Sequence, residues 1–108
     1  MESKITIQMK KGIVEYIVLA TIAQGEVYAS DIIDILKKND LIIVEGTLYP
    51  LLSRLKTEEQ VNYSRVESLQ WPPRKYYTLT PKGLQTLAIM RTTWAGLSKT
   101  VTNIEKKS

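Results

Sequence analysis

Arg74 and Lys75 are the residues whose types and placing most clearly predict a chemical role. They follow a tryptophan and two prolines in the stretch QWPPRKYYTLTPKG at residues 70–83. Adjacent prolines restrict the backbone, so two cations beside them form a stiff, basic projection. Guanidinium and ammonium groups bind phosphate oxygens, so this stretch predicts an exposed finger for an acidic partner. The alternative is a solvated hairpin with no partner.

A second group of polar residues lies in the stretch EGTLYPLLSRLKTEE, which begins at Glu45. Apolar residues at helical spacing predict one buried side, formed by Leu48, Leu51, Leu52 and Leu55. At about 100° per residue, the opposite side carries Gly46, Pro50, Ser53 and Thr57. Proline is tolerated in the first turn of a helix, so the predicted helix begins at about residue 47 or slightly earlier.

Five residues of this helix are candidate contacts to a nucleic acid: Thr47, Tyr49, Pro50, Ser53 and Arg54. Hydroxyl and guanidinium groups bind phosphates and the edges of bases. The structural alternative is that Tyr49 packs its ring on the domain and that Arg54 pairs with a surface acid.

The composition limits the chemistry that is open to the chain. It has 108 residues, a net charge of +4 and neither cysteine nor histidine. Disulfides, Cys/His zinc sites and catalytic triads that need His or Cys are therefore excluded, and we predict no metal, cofactor or enzymatic activity. The longest apolar stretch, IVLATIA, is far shorter than the roughly 20 residues of a membrane span. We therefore expect a cytoplasmic protein that does not enter a membrane.

Two helices are predicted before the candidate binding helix. Residues 12–24 are apolar almost all round, which indicates a helix buried on several sides. The preceding KITIQMKK is either a mobile arm or the first turns of that helix, and Lys10 and Lys11 are candidate non-specific DNA contacts. The apolar stripe in SDIIDILKKN predicts the next helix, capped by Ser30 or Asp31. The LIIV that follows indicates a small strand.

The second half of the chain predicts a hairpin and a long helix. Residues 61–67 and 74–79 indicate two strands joined by a turn. The Thr-Pro pair at 80–81 is a helix start, with an N-cap before a proline at the first helical position. The order predicts a mainly α protein with a small β-hairpin. It also predicts a winged helix-turn-helix over residues 1–80 and a C-terminal dimerisation helix over 81–108, which together form one compact unit.

Apolar residues of the last helix recur at steps of three and four, as Leu87, Met90, Trp94, Leu97, Val101 and Ile104. This heptad seam predicts a homodimer, although a helix folded back on its own domain gives a similar stripe. Symmetry then places two binding helices about 34 Å apart, one turn of double-stranded DNA. A pseudo-palindromic operator has its half-sites at that spacing.

Two motifs, GTLYPLLSRL at 46–55 and PPRKYYTLTPKG at 72–83, together resemble the PadR family of bacterial transcriptional regulators. The single C-terminal helix is similar to the smaller branch of that family, in which several members respond to drugs or other aromatic molecules. Some of these, including a multidrug-responsive repressor, stack a planar ligand on a tryptophan at the dimer centre. Trp94 stands at the matching place, and it either forms the wall of such a site or simply fills the interface.

The resemblance implies a homodimeric, DNA-binding regulator, a repressor released by a small aromatic effector. The alternative is a winged-helix module that binds protein instead of DNA. Trp71, at the predicted wing tip, either packs on the wing or reaches DNA, and both interpretations stay open. Two positions depart from the family pattern. Val44 stands where a capping serine often precedes the binding helix, and Glu59 where glycine often follows it.

Overall fold

The computed structural model describes residues 3–25, 27–66 and 74–106. Five helices lie within these ranges: α1 Lys4–Lys10, α2 Ile13–Ile22, α3 Ala29–Lys38, α4 Glu45–Thr57 and α5 Pro81–Lys106. The strands of these ranges are β1 Val27–Tyr28, β2 Val61–Val66 and β3 Arg74–Leu79. The predicted mainly α architecture with a small β-hairpin is confirmed. The predicted turn at 68–73, with Trp71 at its tip, lies outside the described residues.

A short separate helix, α1, precedes the buried helix α2. The Ser3 hydroxyl caps α1 by accepting a hydrogen bond from the Thr6 backbone N–H at 3.2 Å. Gly12 then separates the two helices with a φ of 82°, a left-handed conformation that glycine adopts at low cost. KITIQMKK therefore does not form the first turns of α2, and Lys4–Lys10 is a helix of its own.

The start of α3 corrects the predicted cap. Tyr28 is the N-cap residue, and its backbone N–H donates a hydrogen bond to the Asp31 carboxylate at 3.0 Å. Asp31 therefore caps from the third helical position, where a short acidic side chain reaches back to the free N–H. The Ser30 hydroxyl instead accepts a hydrogen bond from Arg74.

The strands differ from the prediction in two places. Val27 and Tyr28 pair with β3, but two residues are too short to show an alternating pattern in sequence. Residues 41–44 do alternate, with Ile43 buried and Ile42 exposed, yet no strand of the described ranges pairs with them. The strand predicted there is wrong, because an extended segment forms a strand only where a neighbour completes its hydrogen bonds.

The sheet has the strand order β1-β3-β2 and is antiparallel. Tyr77 of β3 is buried and pairs with Val27 on one side and Tyr63 on the other. Side chains alternate along a strand, so Lys75 shares the core face with Tyr77, whereas Arg74 lies on the opposite face. The core face closes against apolar residues of four helices, among them Leu19, Ile22, Ile32, Leu36, Leu48, Leu52, Leu55 and Leu87.

Helix α5 begins at a tight junction with the end of α4. The Thr80 hydroxyl accepts a hydrogen bond from the Gly83 N–H at 3.0 Å, which confirms the predicted threonine N-cap. It also donates to the Glu59 carbonyl at 2.5 Å, with the Gln60 carbonyl farther away at 3.1 Å. None of the helices within the described ranges is long and apolar enough to cross a membrane.

The later turns of α5 project from the domain. The described part of the chain measures 59 × 35 × 22 Å, with a radius of gyration of 15.9 Å. A compact chain of about 100 residues has a radius of gyration of about 13 Å. The molecule is therefore elongated along its last helix.

Replacing Gly83 by alanine is expected to destabilise the junction. A Cβ there would overlap the Gln60 carbonyl oxygen, and a backbone atom cannot swing aside as a side chain would. Urea denaturation should show a loss of about 1–3 kcal/mol in the free energy of unfolding. Gly96→Ala is the matched control on the same helix, because nothing lies within 4 Å of its Cβ position. Equal stability of the two variants would contradict tight packing at Gly83.

Candidate nucleic-acid interface

Helix α4 is held against the domain by one completely buried side. Leu48, Leu52 and Leu55 are each at most 1% exposed, as predicted, whereas Leu51, the fourth residue of the predicted stripe, is half-buried against the core. Burying a leucine contributes roughly 1.5–3 kcal/mol, so three of them fix the rotation of α4 about its own axis. The opposite side presents four exposed residues, Gly46, Pro50, Ser53 and Thr57. The helix is therefore anchored through its leucines and offers a polar surface outward.

The ends of α4 correct two details of the prediction. The helix begins at Glu45, so Pro50 lies in the second turn and not in the first turn as predicted. Proline has no N–H, and the Gly46 carbonyl therefore gains no helical partner, but both residues are exposed and water can reach that oxygen. Beyond the other end, Glu59 has a φ of 62°, the conformation for which glycine is usual. Val44 precedes the helix in an extended conformation without a side-chain cap.

Two flanks border the exposed side of α4. Tyr49, which is 43% exposed, and Lys56 seven residues later lie on the flank toward the sheet, where Lys56 contacts the Tyr63 ring. Thr47 and Arg54 lie on the flank toward α2, seven residues apart in the same way. The candidate residues on these flanks therefore lie on opposite sides of the exposed surface of α4.

Arg54 is bound to two carboxylates of the protein. Its Nη1 donates to both carboxylate oxygens of Glu58, at 3.0 and 3.2 Å, and its Nη2 donates to Glu15 of α2 at 3.0 Å. The hydrogen bond to Glu15 is the largest of the effects that raise the pKa of Arg54 above its ordinary value. The structural alternative for Arg54, pairing with a surface acid, is therefore observed. The Arg54 side chain is nevertheless 48% exposed.

Arg74 is similarly engaged with its own domain. Its Nη2 donates to the Ser30 hydroxyl at 2.8 Å, and its guanidinium lies 3.8 Å from the centroid of the Tyr28 ring. Tyr28 stacks in turn on Tyr76, with centroids 4.0 Å apart. A cation held over an aromatic face and by a hydroxyl is fixed in place. Arg74 thus joins the hairpin to the start of α3.

Lys75 points to the other face of the sheet, away from Arg74. Its Nζ lies 4.5 Å from the centroid of Tyr63, and the Nζ of Lys56 lies 5.8 Å from the same centroid. The two cations predicted as one basic pair are therefore separated by the pleat of the strand. Lys75 is grouped with the end of α4 instead.

Sequence reasoning missed Lys56, Tyr63 and Arg65, which lie beside the predicted residues. One signal was available, because Lys56 follows Tyr49 by two helical turns and must share its side of α4. The pairing of Arg65 with Lys75 was not available, because it depends on the strand register, which the turn between the strands sets.

Lys10 and Lys11 border a groove of about 400 Å³ at the start of α4. Its other lining residues are Ile7, Val14, Leu41, Ile42, Ile43, Val44 and Thr47. The groove places both lysines beside Thr47, at the α2 flank of the exposed side. Their positive charge therefore lies next to the candidate binding surface.

The predicted heptad seam divides into a buried and an exposed part. Leu87 is only 3% exposed and belongs to the core of its own domain, which corrects its assignment to a dimer contact, and Met90 packs against that core. The four later seam residues are 48–65% exposed: Trp94, Leu97, Val101 and Ile104. The part of the seam that lacks a cover within the described chain therefore begins at Trp94.

The groups gathered around α4 are suited to binding. They are hydroxyl, guanidinium and ammonium groups, which donate hydrogen bonds and favour phosphate oxygens. Among the residues that the structure describes, no three His, Cys, Asp or Glu side chains come together in a way that could hold a metal ion. The arrangement favours recognition of an acidic polymer.

Comparison with known families gives one match over most of the chain. The family model of PadR-like transcriptional regulators matches residues 18–89, from α2 into α5. A search of curated proteins gave no match.

Solved structures of PadR-like proteins have the same fold. A PadR-like transcription factor from Bacteroides fragilis is 48% identical with a TM-score of 0.81, over 94% of this chain and 99% of that one. A PadR-like transcriptional regulator from Bacillus cereus is 37% identical with a TM-score of 0.78, over 90% of this chain and 95% of that one. Bacillus subtilis PadR, solved in complex with operator DNA, is 25% identical with a TM-score of 0.68, over 72% of this chain and 47% of that one.

Proposed function

The chain belongs to the PadR-like family of transcriptional regulators, and from this premise we propose that it binds operator DNA as a homodimer and represses transcription. The observation that carries the proposal is the polar side of α4, exposed opposite the completely buried Leu48, Leu52 and Leu55. The major groove admits a helix, and winged helix-turn-helix proteins place their recognition helix there. The operator complex of the Bacillus subtilis relative supports the same partner for this chain.

The exposed hydroxyl groups of α4 are the proposed readers of the groove. Ser53 lies in the middle of the exposed side, and Thr47 and Tyr49 border it. Hydroxyls both donate and accept hydrogen bonds, so they suit base edges as well as phosphates. Pro50 adds apolar surface between them, and Lys10 and Lys11 add non-specific attraction to the backbone.

The two arginines are conditional contacts in this proposal. Arg54 already donates to Glu15 and Glu58, and Arg74 to Ser30, so a phosphate has to share the guanidinium with these partners or displace one of them. Within the described ranges, the Lys75 side chain contacts the Tyr63 ring but forms no hydrogen bond or ion pair, and it is the proposed phosphate contact of the pair.

The exposed seam of α5 supports the homodimer. Apolar side chains at heptad spacing are 48–65% exposed from Trp94 onward, and a second copy of the helix would cover them. A two-fold dimer presents two copies of α4 to two half-sites about 34 Å apart. A transcriptional regulator must reach chromosomal DNA, so the cytoplasm stays the predicted compartment.

A planar aromatic effector is the proposed release signal. Two Trp94 rings that face each other across the two-fold axis would stack on such a molecule, contributing about 0.5–1.5 kcal/mol per ring beyond area burial. The ligand releases DNA only if it binds better to a dimer whose two α4 helices have another spacing.

The DNA proposal predicts that purified protein selects genomic fragments that share a pseudo-palindrome. Tyr49→Phe and Ser53→Ala should weaken binding to that site more than to random duplex, because a base contact is worth about 1–3 kcal/mol. Thr102→Ala, which removes an exposed hydroxyl on α5, is the control. Equal losses on both duplexes would show that the hydroxyls only position α4. A wild type that binds no duplex at any salt concentration would favour the protein-binding alternative.

Charge placed in the α5 seam is expected to break the dimer. Leu97→Glu combined with Val101→Glu should give a monomer or an unfolded chain, because carboxylates lose hydration when the helices meet. Light scattering measures the mass, and Lys99→Glu, off the seam on the same helix, should leave it unchanged. A monomeric wild type at micromolar concentration would contradict the heptad interpretation.

Planar cationic dyes are expected to quench the fluorescence of Trp94 saturably. The Trp71→Phe background isolates this signal, because the chain has two tryptophans. Trp94→Ala in that background removes the last tryptophan, so it is read by DNA binding alone, and the dye should no longer release DNA from it. Release that survives Trp94→Ala would place the effector elsewhere.

A further inference from the structure

Two lysines from different elements converge on one aromatic ring. Lys56 ends the exposed flank of α4, and Lys75 lies on β3, yet their Nζ atoms lie 5.8 and 4.5 Å from the centroid of Tyr63. Tyr63 is itself packed against the core, so its ring is a fixed platform. The cation–π contacts restrict two flexible side chains before any partner arrives.

A third cation lies on the same face of the hairpin. Arg65 pairs directly with Lys75 across the β2–β3 ladder, and it follows Tyr63 by two residues. Like charges directly opposite each other in an antiparallel pair are destabilising. The hairpin therefore holds an arrangement that its own folding does not favour.

No carboxylate offsets this charge within the described ranges. Lys56, Arg65 and Lys75 take part in no ion pair there, whereas Arg54 on the opposite flank of α4 has two. All three cationic residues are exposed. An anion that binds between the three cations lowers the repulsion between them. An anion that bridges α4 and the hairpin would therefore bind there at low cost in free energy.

The location of the three cations indicates the kind of anion. Lys56 shares its flank of α4 with Tyr49, beside the side proposed to enter the major groove, and Lys75 and Arg65 extend that flank onto the hairpin. A duplex in contact with α4 has its sugar–phosphate backbone at the rim of the groove. The corner between α4 and the hairpin is therefore placed for backbone phosphates.

We propose that Lys56, Arg65 and Lys75 form one site for consecutive phosphates of a DNA strand, with Tyr63 as the platform that positions the two lysines. The site rests on the proposed function and adds Lys56, Arg65 and Tyr63 to it. It also separates Lys75 from its neighbour Arg74, which is held by Ser30 and Tyr28 on the other face of the sheet.

The test compares Lys56→Gln, Arg65→Gln and Lys75→Gln, singly and together, in the full-length protein. The affinity for a random duplex and for a selected duplex is measured across a range of salt concentrations. Each lost phosphate contact should reduce the slope of log K against log salt by about 0.9, and the triple variant by about 2–3. The loss should be alike on both duplexes, because phosphate contacts carry no sequence information. Lys99→Gln on α5 is the control and should leave the slope unchanged.

Thermal unfolding of the same variants at low salt separates binding from structure. Removing one of the crowded cations should leave the melting temperature unchanged or raise it, while DNA affinity falls. Tyr63→Phe, which keeps the ring, should retain the wild-type slope. If the wild type binds duplex and the variants have the same salt slope as the wild type, the phosphate site alone is overturned. A melting temperature that falls in step with affinity would also overturn it, and a wild type that binds no duplex would overturn the proposed function together with the site.

Discussion

The complete burial of three leucines on α4 is the interaction on which the rest of this surface depends. Leu48, Leu52 and Leu55 lie in the core at most 1% exposed, and truncating such a residue costs about 2–5 kcal/mol. A small domain has a total stability of only about 5–15 kcal/mol, so the helix cannot rotate to present another side. The core thereby decides that Ser53 faces outward and that the lysine and arginine of this helix lie on opposite flanks.

The arginines and lysines of this surface are used differently. Arg54 joins α4 to α2 through Glu15, and Arg74 joins the hairpin to α3 through Ser30 and Tyr28. A planar guanidinium can satisfy several fixed acceptors at once, which suits it to bracing two elements. An ammonium group on a flexible stem makes no comparable demand on geometry. Lys56 and Lys75, which form no ion pair within the described ranges, therefore suit the backbone phosphates of the proposed DNA partner.

The features that could be predicted are those encoded by residues close together in the sequence. The leucine stripe, the Thr80 cap and the hairpin follow from spacing, and the structure confirms them. The Arg54–Glu15 contact joins residues 39 positions apart, and no local pattern encodes it. The opposite placing of Arg74 and Lys75 follows from strand alternation, but which face meets α4 is decided by long-range packing. The backbone conformation of Glu59 could not be predicted either, because a glutamate there adopts a left-handed conformation that non-glycine residues disfavour.

The end of α4 and the start of α5 are joined so closely that they must move together. The Thr80 hydroxyl donates to the Glu59 carbonyl, and the Lys82 ammonium donates to the Glu58 carbonyl at 2.9 Å. Gly83 leaves no room for a side chain against Gln60. These contacts satisfy carbonyls just beyond the last turn of α4 with groups from the first turn of α5. In the proposed dimer, a change in the angle between the two copies of α5 therefore changes the separation of the two copies of α4. Trp94 lies about 20 Å along α5 from Pro81 at 1.5 Å per residue, so a small rotation of the helix about Trp94 is amplified at the junction with α4.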